Sequence, residues 1–405
     1  MPIKTLRPSR WLKLFFPLSL SLVCFSLCFS DAVNAYSEQE SPKGPVPLFN
    51  GKNLDGWAQV NCASETFTVR DGMIISTGKP TGVLRTDRQY ENYIFEVEWR
   101  HMKPRGNAGI FVWSEGISAP GVPFAKGVEV QVLENGYGDT RSHTCHGDIF
   151  PIHGSTMVPD NGRGGQRSFP TENRSKPFGK WNRYVIVCVD GDIKLSVNGK
   201  FVTGGRQCNY QKGYICLEAE GSECHFRNLK IYELPSAGAD ETNTAPLVEG
   251  FKSLYSGLDL RNWKQGKGIE EIWKSSDWRL VCKSNENQRR NLVSEKSYKN
   301  YSVQIDFQWN GKESDTRQCP LVLGSDEGWG MKTIPAKMKE ALAGIPAGKW
   351  SRLRIDRNQS TQTVHLNGKT IADSIPIERD VMEHIALRDS GQPSTFASIY
   401  VLESN

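Results

Sequence analysis

The sequence predicts an all-β chain folded as two tandem sandwiches, and three observations carry that prediction. Apolar residues recur with period two almost throughout, the mark of half-buried strands. Gly- and Asn-based turn signals separate the runs at short intervals. One set of motifs also occurs twice. Leu48-Phe49-x-Gly51-x-x-Leu54-x-x-Trp57 returns as Leu254-Tyr255-x-Gly257-x-x-Leu260-x-x-Trp263, 206 residues on. Gly179-Lys180-Trp181-x-Arg183 and Asn198-Gly199-Lys200 return as Gly348-Lys349-Trp350-x-Arg352 and Asn367-Gly368-Lys369, 169 residues on. The second copy is therefore 37 residues shorter, the difference between offsets of 206 and 169, and the loss falls between its early strands and its Gly-Lys-Trp.

In chain order, residues 1–35 come first. Lys4, Arg7, Arg10 and Lys13 precede a mostly apolar run from Leu14 to Phe29, and Val33-Asn34-Ala35 follows. This reads as a secretory signal cleaved after Ala35, which makes the mature protein periplasmic or secreted. Cys24 and Cys28 follow Val23 and Leu27, not the small residue that precedes a lipid-modified Cys. The first module is assigned to residues 46–234. Within it Tyr93, Phe95, Val97 and Trp99 alternate with Ile94, Glu96, Glu98 and Arg100. Val128, Val130 and Val132 flank Glu129 and Gln131, and Ile193, Leu195 and Val197 run to the Asn198-Gly199 turn. A linker rich in Ser, Ala, Gly, Asp and Thr spans 235–247. The second module, 248–404, opens its main strand at Tyr301 and holds the one expected helix, Ala336–Leu342.

Composition narrows the function. The formal charge of +5 comes from 50 basic and 45 acidic residues. The first 35 residues hold four of the bases and one acid, so the rest carries 46 against 44, or +2. No basic footprint remains for nucleic acid. No apolar run of spanning length follows the signal, so no membrane partner is expected after cleavage. Nothing in the sequence specifies an oligomeric state. Eight Cys remain (62, 145, 188, 208, 216, 224, 282 and 319), and export permits pairing within modules, as between Cys282 and Cys319. Cys188 and Cys216 lie in strand-like runs and also suit the role of small buried apolar residues. There is no CxxC, no Gly-x-Ser-x-Gly elbow and no phosphate-cradling loop.

The candidate chemistry lies in acids and amides at outward strand positions: Glu96 and Glu98, Glu129 and Gln131, Glu218 and Glu220. If these strands are neighbours, their carboxylates converge on one sheet face and raise one another's pKa, which suits acid–base work or cation binding. The bland alternative is a solvated face whose acids meet Lys and Arg. An irregular stretch from Glu134 to Pro177 adds His143, His146, Asp148 and His153. Loops this long inside compact domains are usually functional or disordered. His143-x-x-His146-x-Asp148 would allow a metal site, although exposed loop histidines are the commoner case. The 37-residue deficit removes this region from the second copy, which points to the first module as the active one. Trp57, Trp99, Trp113 and Trp181 could stack on sugar rings, but most fit a core better, since Trp99 shares the parity of Phe95 and Val97.

Several motifs in order resemble a known family. They are Pro47-Leu48-Phe49-Asn50-Gly51-Lys52-Asn53-Leu54-Asp55-Gly56-Trp57, then Phe67-Thr68-Val69-Arg70-Asp71-Gly72, then Asn107-Ala108-Gly109-Ile110-Phe111-Val112. Gly127-Val128-Glu129-Val130-Gln131-Val132-Leu133-Glu134, Lys176-Pro177-x-Gly179-Lys180-Trp181-Asn182, Val197-Asn198-Gly199 and Phe226-Arg227-Asn228-Leu229-Lys230-Ile231 complete the set. Residues 46–234 resemble the 3-keto-disaccharide hydrolase domain, and residues 248–404 resemble a degenerate second copy. The resemblance implies a concanavalin A-like β-jelly roll acting on glycosides already oxidised at sugar C3. It implies C2 deprotonation, β-elimination of the C1 substituent and hydration, a net hydrolysis that needs no covalent nucleophile. It marks Glu129 or His146 as base, with Gln131 and Asn107 orienting the sugar and Glu134, Asp148, Glu218 and Glu220 completing the binding set. No cofactor is required; if a divalent metal takes part, Glu129, His146 and Asp148 are its candidate ligands. Trp113 stands where many members carry Arg, and Leu217-Glu218-Ala219-Glu220 stands where a Gln-containing variant is common. Two functions thus fit an oligosaccharide or glycoside partner: an exported enzyme cleaving 3-keto-glycosides, and a non-catalytic carbohydrate-binding jelly-roll protein.

Overall fold

The computed structural model describes residues 44–284, 289–311, 318–324, 336–377 and 381–404. The expected signal at 1–35 lies outside the described residues. None of the described helices is long and apolar enough to cross a membrane.

The first part of the chain forms β1 (Val46–Pro47), β2 (Trp57–Val60), β3 (Phe67–Arg70), β4 (Met73–Ser76), β5 (Gly82–Thr86), β6 (Tyr93–His101) and β7 (Asn107–Ser114). It continues with β8 (Gly127–Leu133), β9 (Ile149–Ile152), β10 (Thr156–Pro159), β11 (Asn182–Val189), β12 (Asp192–Val197), β13 (Lys200–Asn209), β14 (Tyr214–Ala219) and β15 (Cys224–Glu233). A nine-stranded sheet has the order β10-β13-β12-β11-β6-β15-β4-β3, with β1 also on β15. A six-stranded sheet has the order β2-β5-β14-β7-β8-β9. The paired strands run antiparallel. Burial alternates strictly along β6, so Tyr93, Phe95, Val97 and Trp99 enter the core while Ile94, Glu96 and Glu98 face outward. They meet Val128, Val130 and Val132 of the other sheet in one apolar cluster. This is the aligned packing of two sheets on a shared interior.

The second part forms β16 (Lys252–Ser253), helix α1 (Ile269–Ile272), β17 (Trp273–Ser276), β18 (Arg279–Cys282), β19 (Leu292–Tyr298), β20 (Tyr301–Trp309) and β21 (Leu321–Gly324). Helix α2 (Ala336–Ala343), β22 (Ser351–Arg357), β23 (Thr361–Leu366), β24 (Lys369–Pro376), β25 (Glu383–Leu387) and β26 (Ser394–Glu403) follow. The expected helix at 336–342 is thus α2. The large sheet runs β17-β18-β26-β20-β22-β23-β24, with β16 on β26. Position for position this repeats β3-β4-β15-β6-β11-β12-β13, with β1 on β15. The connecting turns repeat as well. Asn198-Gly199 and Asn367-Gly368 both take positive φ (49° and 87°, 49° and 78°), the conformation that lets a two-residue turn follow strand twist. Among the described residues the small sheet has the order β19-β25-β21. Among the described residues it has no counterpart of β8 or β9.

The two sandwiches touch through specific groups. Arg261 makes two bonds to Glu65 (2.9 and 2.8 Å), and Thr81 donates twice to Asp277, from its amide (2.6 Å) and its hydroxyl (2.7 Å). Buried Asp306 accepts from the Gly121 amide (3.1 Å) and from Arg352, and Arg352 also donates to the Ser118 carbonyl (2.6 Å). Tyr400 donates to Asn61 (2.9 Å) and joins Val60, Val83, Phe111 and Val248 in a second apolar cluster.

The cysteines correct one expectation. All eight described thiols are free and buried, Cys282 and Cys319 included. Cys188 and Cys224 lie in the first core and Cys282 and Cys319 in the second, where each fills space as a small apolar side chain. Burial pushes the Cys319 thiol up to about 11 and the Cys282 thiol up to about 12, which keeps both protonated and unreactive.

Candidate functional site

The Val-rich strand β8 sends Val128, Val130 and Val132 inward, so period two sends Glu129 and Gln131 to the outer face of the six-stranded sheet. On the neighbouring β7, Phe111 lies opposite Glu129, Gly109 opposite Gln131 and Asn107 opposite Leu133. On the next strand, β14, Leu217 pairs with Ile110 and enters the core, so Glu218 faces outward beside Gly109. Glu220 follows two residues on and accepts a hydrogen bond from the Asn107 amide. The Gln131 amide donates to the Asn107 side-chain carbonyl (3.0 Å), which joins the two amides in one line.

Gly109 is what allows the acids to meet. A Cβ built on it would lie 2.8 Å from Glu218 Oε2 and 2.9 Å from Glu129 Oε1. Both carboxyl groups therefore lean over a strand that offers no side chain. Glu129 is 7% exposed and Glu218 1%. Burial pushes the Glu129 carboxyl up to about 8; nearby Glu220 adds to the shift and Arg167 opposes it. Burial also holds Glu218 well above the ordinary range, with Glu129 and Glu220 adding to it. Glu220 is raised by burial and by Asp277 of the second sandwich, against the lowering effect of the Asn107 amide. Glu218 Oε2 is buried with no hydrogen-bond partner among the described residues. Such a cluster retains at least one proton at neutral pH, because so many like charges cannot all be ionised in a desolvated site.

The cationic edge lies one strand away. Arg167 donates to Asp148 (2.9 Å) and stacks on Phe150, its guanidinium carbon 3.5 Å from the ring centroid. Phe150 is the β9 residue opposite Glu129. Asp148 is fully buried and also accepts from the amide and hydroxyl of Thr144, so its oxygens are engaged.

The remaining candidates fall elsewhere. His146 keeps to the loop before β9, its Nε2 3.6 Å from Asp139, and its Nδ1 is buried without a partner. Burial pulls its imidazole below the ordinary value, opposed by Asp139 and Asp148. Glu134 is a loop anchor: its carboxylate accepts from the amides of Arg105 (2.7 Å), Gly136 (2.7 Å) and Phe178 (3.0 Å). Burial works to raise it, but those three amides outweigh burial and hold it low. Glu96 and Glu98 lie on the other sheet, paired with Arg183 and Arg227 (2.7 Å each), the solvated-face alternative realised. The His143 side chain bonds to the loop hydroxyls of Thr140 and Ser142. Glu129, His146 and Asp148 are not assembled as a ligand set, and no cluster of His, Cys, Asp and Glu suited to a metal occurs among the described residues. Trp57, Trp99 and Trp113 are buried, whereas Trp181 is half-buried between Arg100 and Arg227. Sequence reasoning missed Gly109, whose role depends on what its neighbours across the sheet carry. It also missed Arg167, which reaches the site only through the fold of the long loop.

Residues 44–232 match the family model of the 3-keto-alpha-glucoside-1,2-lyase-like domain. A curated relative, the 3-keto-disaccharide hydrolase of Bacteroides thetaiotaomicron, is 24% identical over 185 residues, covering 39% of this chain and 57% of the relative. The chain thus spans just over half the length of that relative. Among solved structures, one from Parabacteroides distasonis described as a glycosyl hydrolase aligns at 20% identity and TM-score 0.37, covering 47% of this chain and 94% of its own. The Bacillus licheniformis beta-glucanase aligns at 14% identity and TM-score 0.33, covering 49% and 100%.

Proposed function

We propose that the first sandwich cleaves 3-keto-glycosides by elimination at C1–C2 followed by hydration. The observation that carries this reading is the buried pair Glu129 and Glu218 gathered over Gly109, with half-buried Glu220 beside them on the Asn107 amide and Arg167 on the other side. A 3-keto group acidifies the C2 hydrogen. Glu129, the acid whose charge Arg167 favours, takes that proton as base. The C2 electron pair delocalises onto the C3 oxygen, where the Gln131 and Asn107 amides can donate. The pair then forms the C1–C2 double bond as the C1–O bond to the leaving group breaks. Glu218, held protonated by burial, gives that oxygen its proton. Water adds back, hydroxyl to C1 and proton to C2, which returns the 3-keto sugar and leaves both carboxyl groups as they began.

The matched family and the name of the curated relative support this chemistry, and so does the absence of any nucleophile motif in the sequence. The signal-like N-terminus supports action outside the cytoplasm. The shared strand order and the repeated motifs support reading 248–404 as a degenerate copy of 46–234, joined by the linker at 235–247.

The test is release of the aglycone from a 3-keto-glucoside by residues 36–405, with and without chelator, beside Glu129→Gln and His146→Ala. Release that Glu129→Gln abolishes and His146→Ala only weakens is the expected result. No release from several aglycones, with or without added divalent metal, would instead favour a carbohydrate-binding protein.

A further inference from the structure

The second sandwich presents Trp278 and Trp350 as a half-buried aromatic pair, ring centroids 6.0 Å apart and inclined at 36°. Neither lies in an apolar core cluster. Each is tied to one side of the face that bears the carboxylates. Trp350 packs on Gly121 at the tip of the β7–β8 connection, where a Cβ would lie 2.3 Å from the indole. That contact is held by the bond from the Gly121 amide to Asp306. At the other side Trp278 directly follows Asp277, which Thr81 pins through two hydrogen bonds. In the β5–β14 ladder Gly82 pairs with Ala219, so Thr81 stands beside Glu220, and Asp277 is close enough to raise the Glu220 carboxyl. Between these two anchor points Tyr400 of the second sandwich packs with Val83, the residue opposite Glu218. Beside Asp277, Thr81, Lys79 and Gly221 of the first sandwich and Leu258 and Ser275 of the second line a cleft of about 410 Å³, within the range of small-ligand sites.

The geometry points to a sugar subsite shared by the two sandwiches: Trp278 and Trp350 form an aromatic platform for the leaving ring of a two-ring substrate, while the carboxylate trio works on the oxidised ring. A pyranose offers an apolar C–H face and a polar rim. Indoles match the face, and Asp277 and Lys79 border the cleft where the rim hydroxyls would lie. This inference rests on the elimination reading above and deepens it by giving the leaving ring a platform on residues of the second sandwich, whose described strands include no counterpart of the acid-bearing β8.

The test compares a 3-keto-disaccharide with methyl 3-keto-glucoside, whose leaving group has no ring, on wild type, Trp278→Ala, Trp350→Ala and Trp278→Phe. We expect each Ala variant to raise KM for the disaccharide about tenfold with kcat within about twofold, the signature of lost ground-state binding. kcat/KM for the methyl glycoside stays unchanged, and Trp278→Phe recovers most of the disaccharide KM. Equal losses on both substrates, or no loss on either, would overturn the platform. If wild type turns over neither substrate, the elimination reading fails by itself. Calorimetric titration of the same disaccharide then decides the platform: about tenfold weaker binding by Trp278→Ala supports it, and unchanged binding rejects it.

Discussion

The small sheets of the two sandwiches differ far more than the large ones, and the difference separates what this fold needs from what the site needs. The large sheets share one strand order across seven positions. Among the described residues the small sheet has six strands in the first sandwich and three in the second. Leu217 of β14 and Leu387 of β25 both enter their cores, yet the next residue is Glu218 in one and Arg388 in the other. Arg388 donates to the Cys319 carbonyl (2.8 Å) and serves packing. The strand that carries Glu129 and Gln131 has no counterpart in the second sandwich among the described residues. Outward positions of a sheet can change without disturbing its interior, so the small sheet of one sandwich can carry buried acids while the described strands of the other's small sheet carry none.

The sharpest way to break this comparison is to remove the acids. Glu129→Gln should lower kcat by about 10³-fold, within the span of a lost general base, and Glu218→Gln by a similar factor. Steady-state kinetics on a 3-keto-glucoside reads both, and a loss below tenfold for either would remove it from the chemistry. Gly109→Ala adds one methyl group between the two carboxyls and should cost about 10²-fold in kcat/KM, because a displacement near 1 Å is enough to misalign reacting groups. Its expected cost in folding is small, since Gly109 is not among the glycines with positive φ. Unchanged kinetics in Gly109→Ala would mean that the acids need not converge there.

Stability sharpens the comparison further. Asp306→Ala leaves Arg352 partly buried without its carboxylate and should destabilise the protein by about 3 kcal/mol, seen as a lower denaturant midpoint. A midpoint shift within error would show that this contact contributes little. The raised carboxyls set a pH dependence with a definite sign. Glu129 titrates near 4.5 when unfolded and about 8 when folded, so between those values the native state holds protons that the unfolded chain has lost. Stability therefore falls as pH rises through that window. The wild-type Tm should drop more between pH 5 and pH 8 than the Tm of Glu129→Gln, and equal slopes would contradict the raised value. The smallest effect is expected in the second sandwich, where Arg388→Ala should cost about 1 kcal/mol of stability and leave kcat within twofold.

Much of this was legible in the sequence. Period two gave the inward and outward faces of β6 and β8 residue by residue, because alternation across a pleat is a local property. The repeated Asn-Gly turns and Gly-Lys-Trp motifs pointed to a second, related module and to a 37-residue difference in length ahead of its Gly-Lys-Trp. Strand adjacency was not legible. Glu96 and Glu98 have the same local pattern as Glu129 and Glu218 yet lie on the other sheet, since pairing depends on contacts distant in sequence. Glu134 looked like one more acid beside the site, but its three amide donors come from loops whose course the residues alone do not reveal. The parts contributed by Arg167, Asp277 and the Trp278–Trp350 pair required the long loop and the docking of the second sandwich.

In the proposed reaction Glu129 breaks the C2–H bond. The most direct measurement runs the reaction of residues 36–405 on a 3-keto-disaccharide in D2O and reads C2 of the released 3-keto sugar by mass spectrometry and NMR, against an enzyme-free control. Elimination and hydration predict one deuterium at C2 in each sugar released, at the rate of release. Released sugar that keeps hydrogen at C2 would mean that cleavage proceeds without breaking that bond, and would contradict the account.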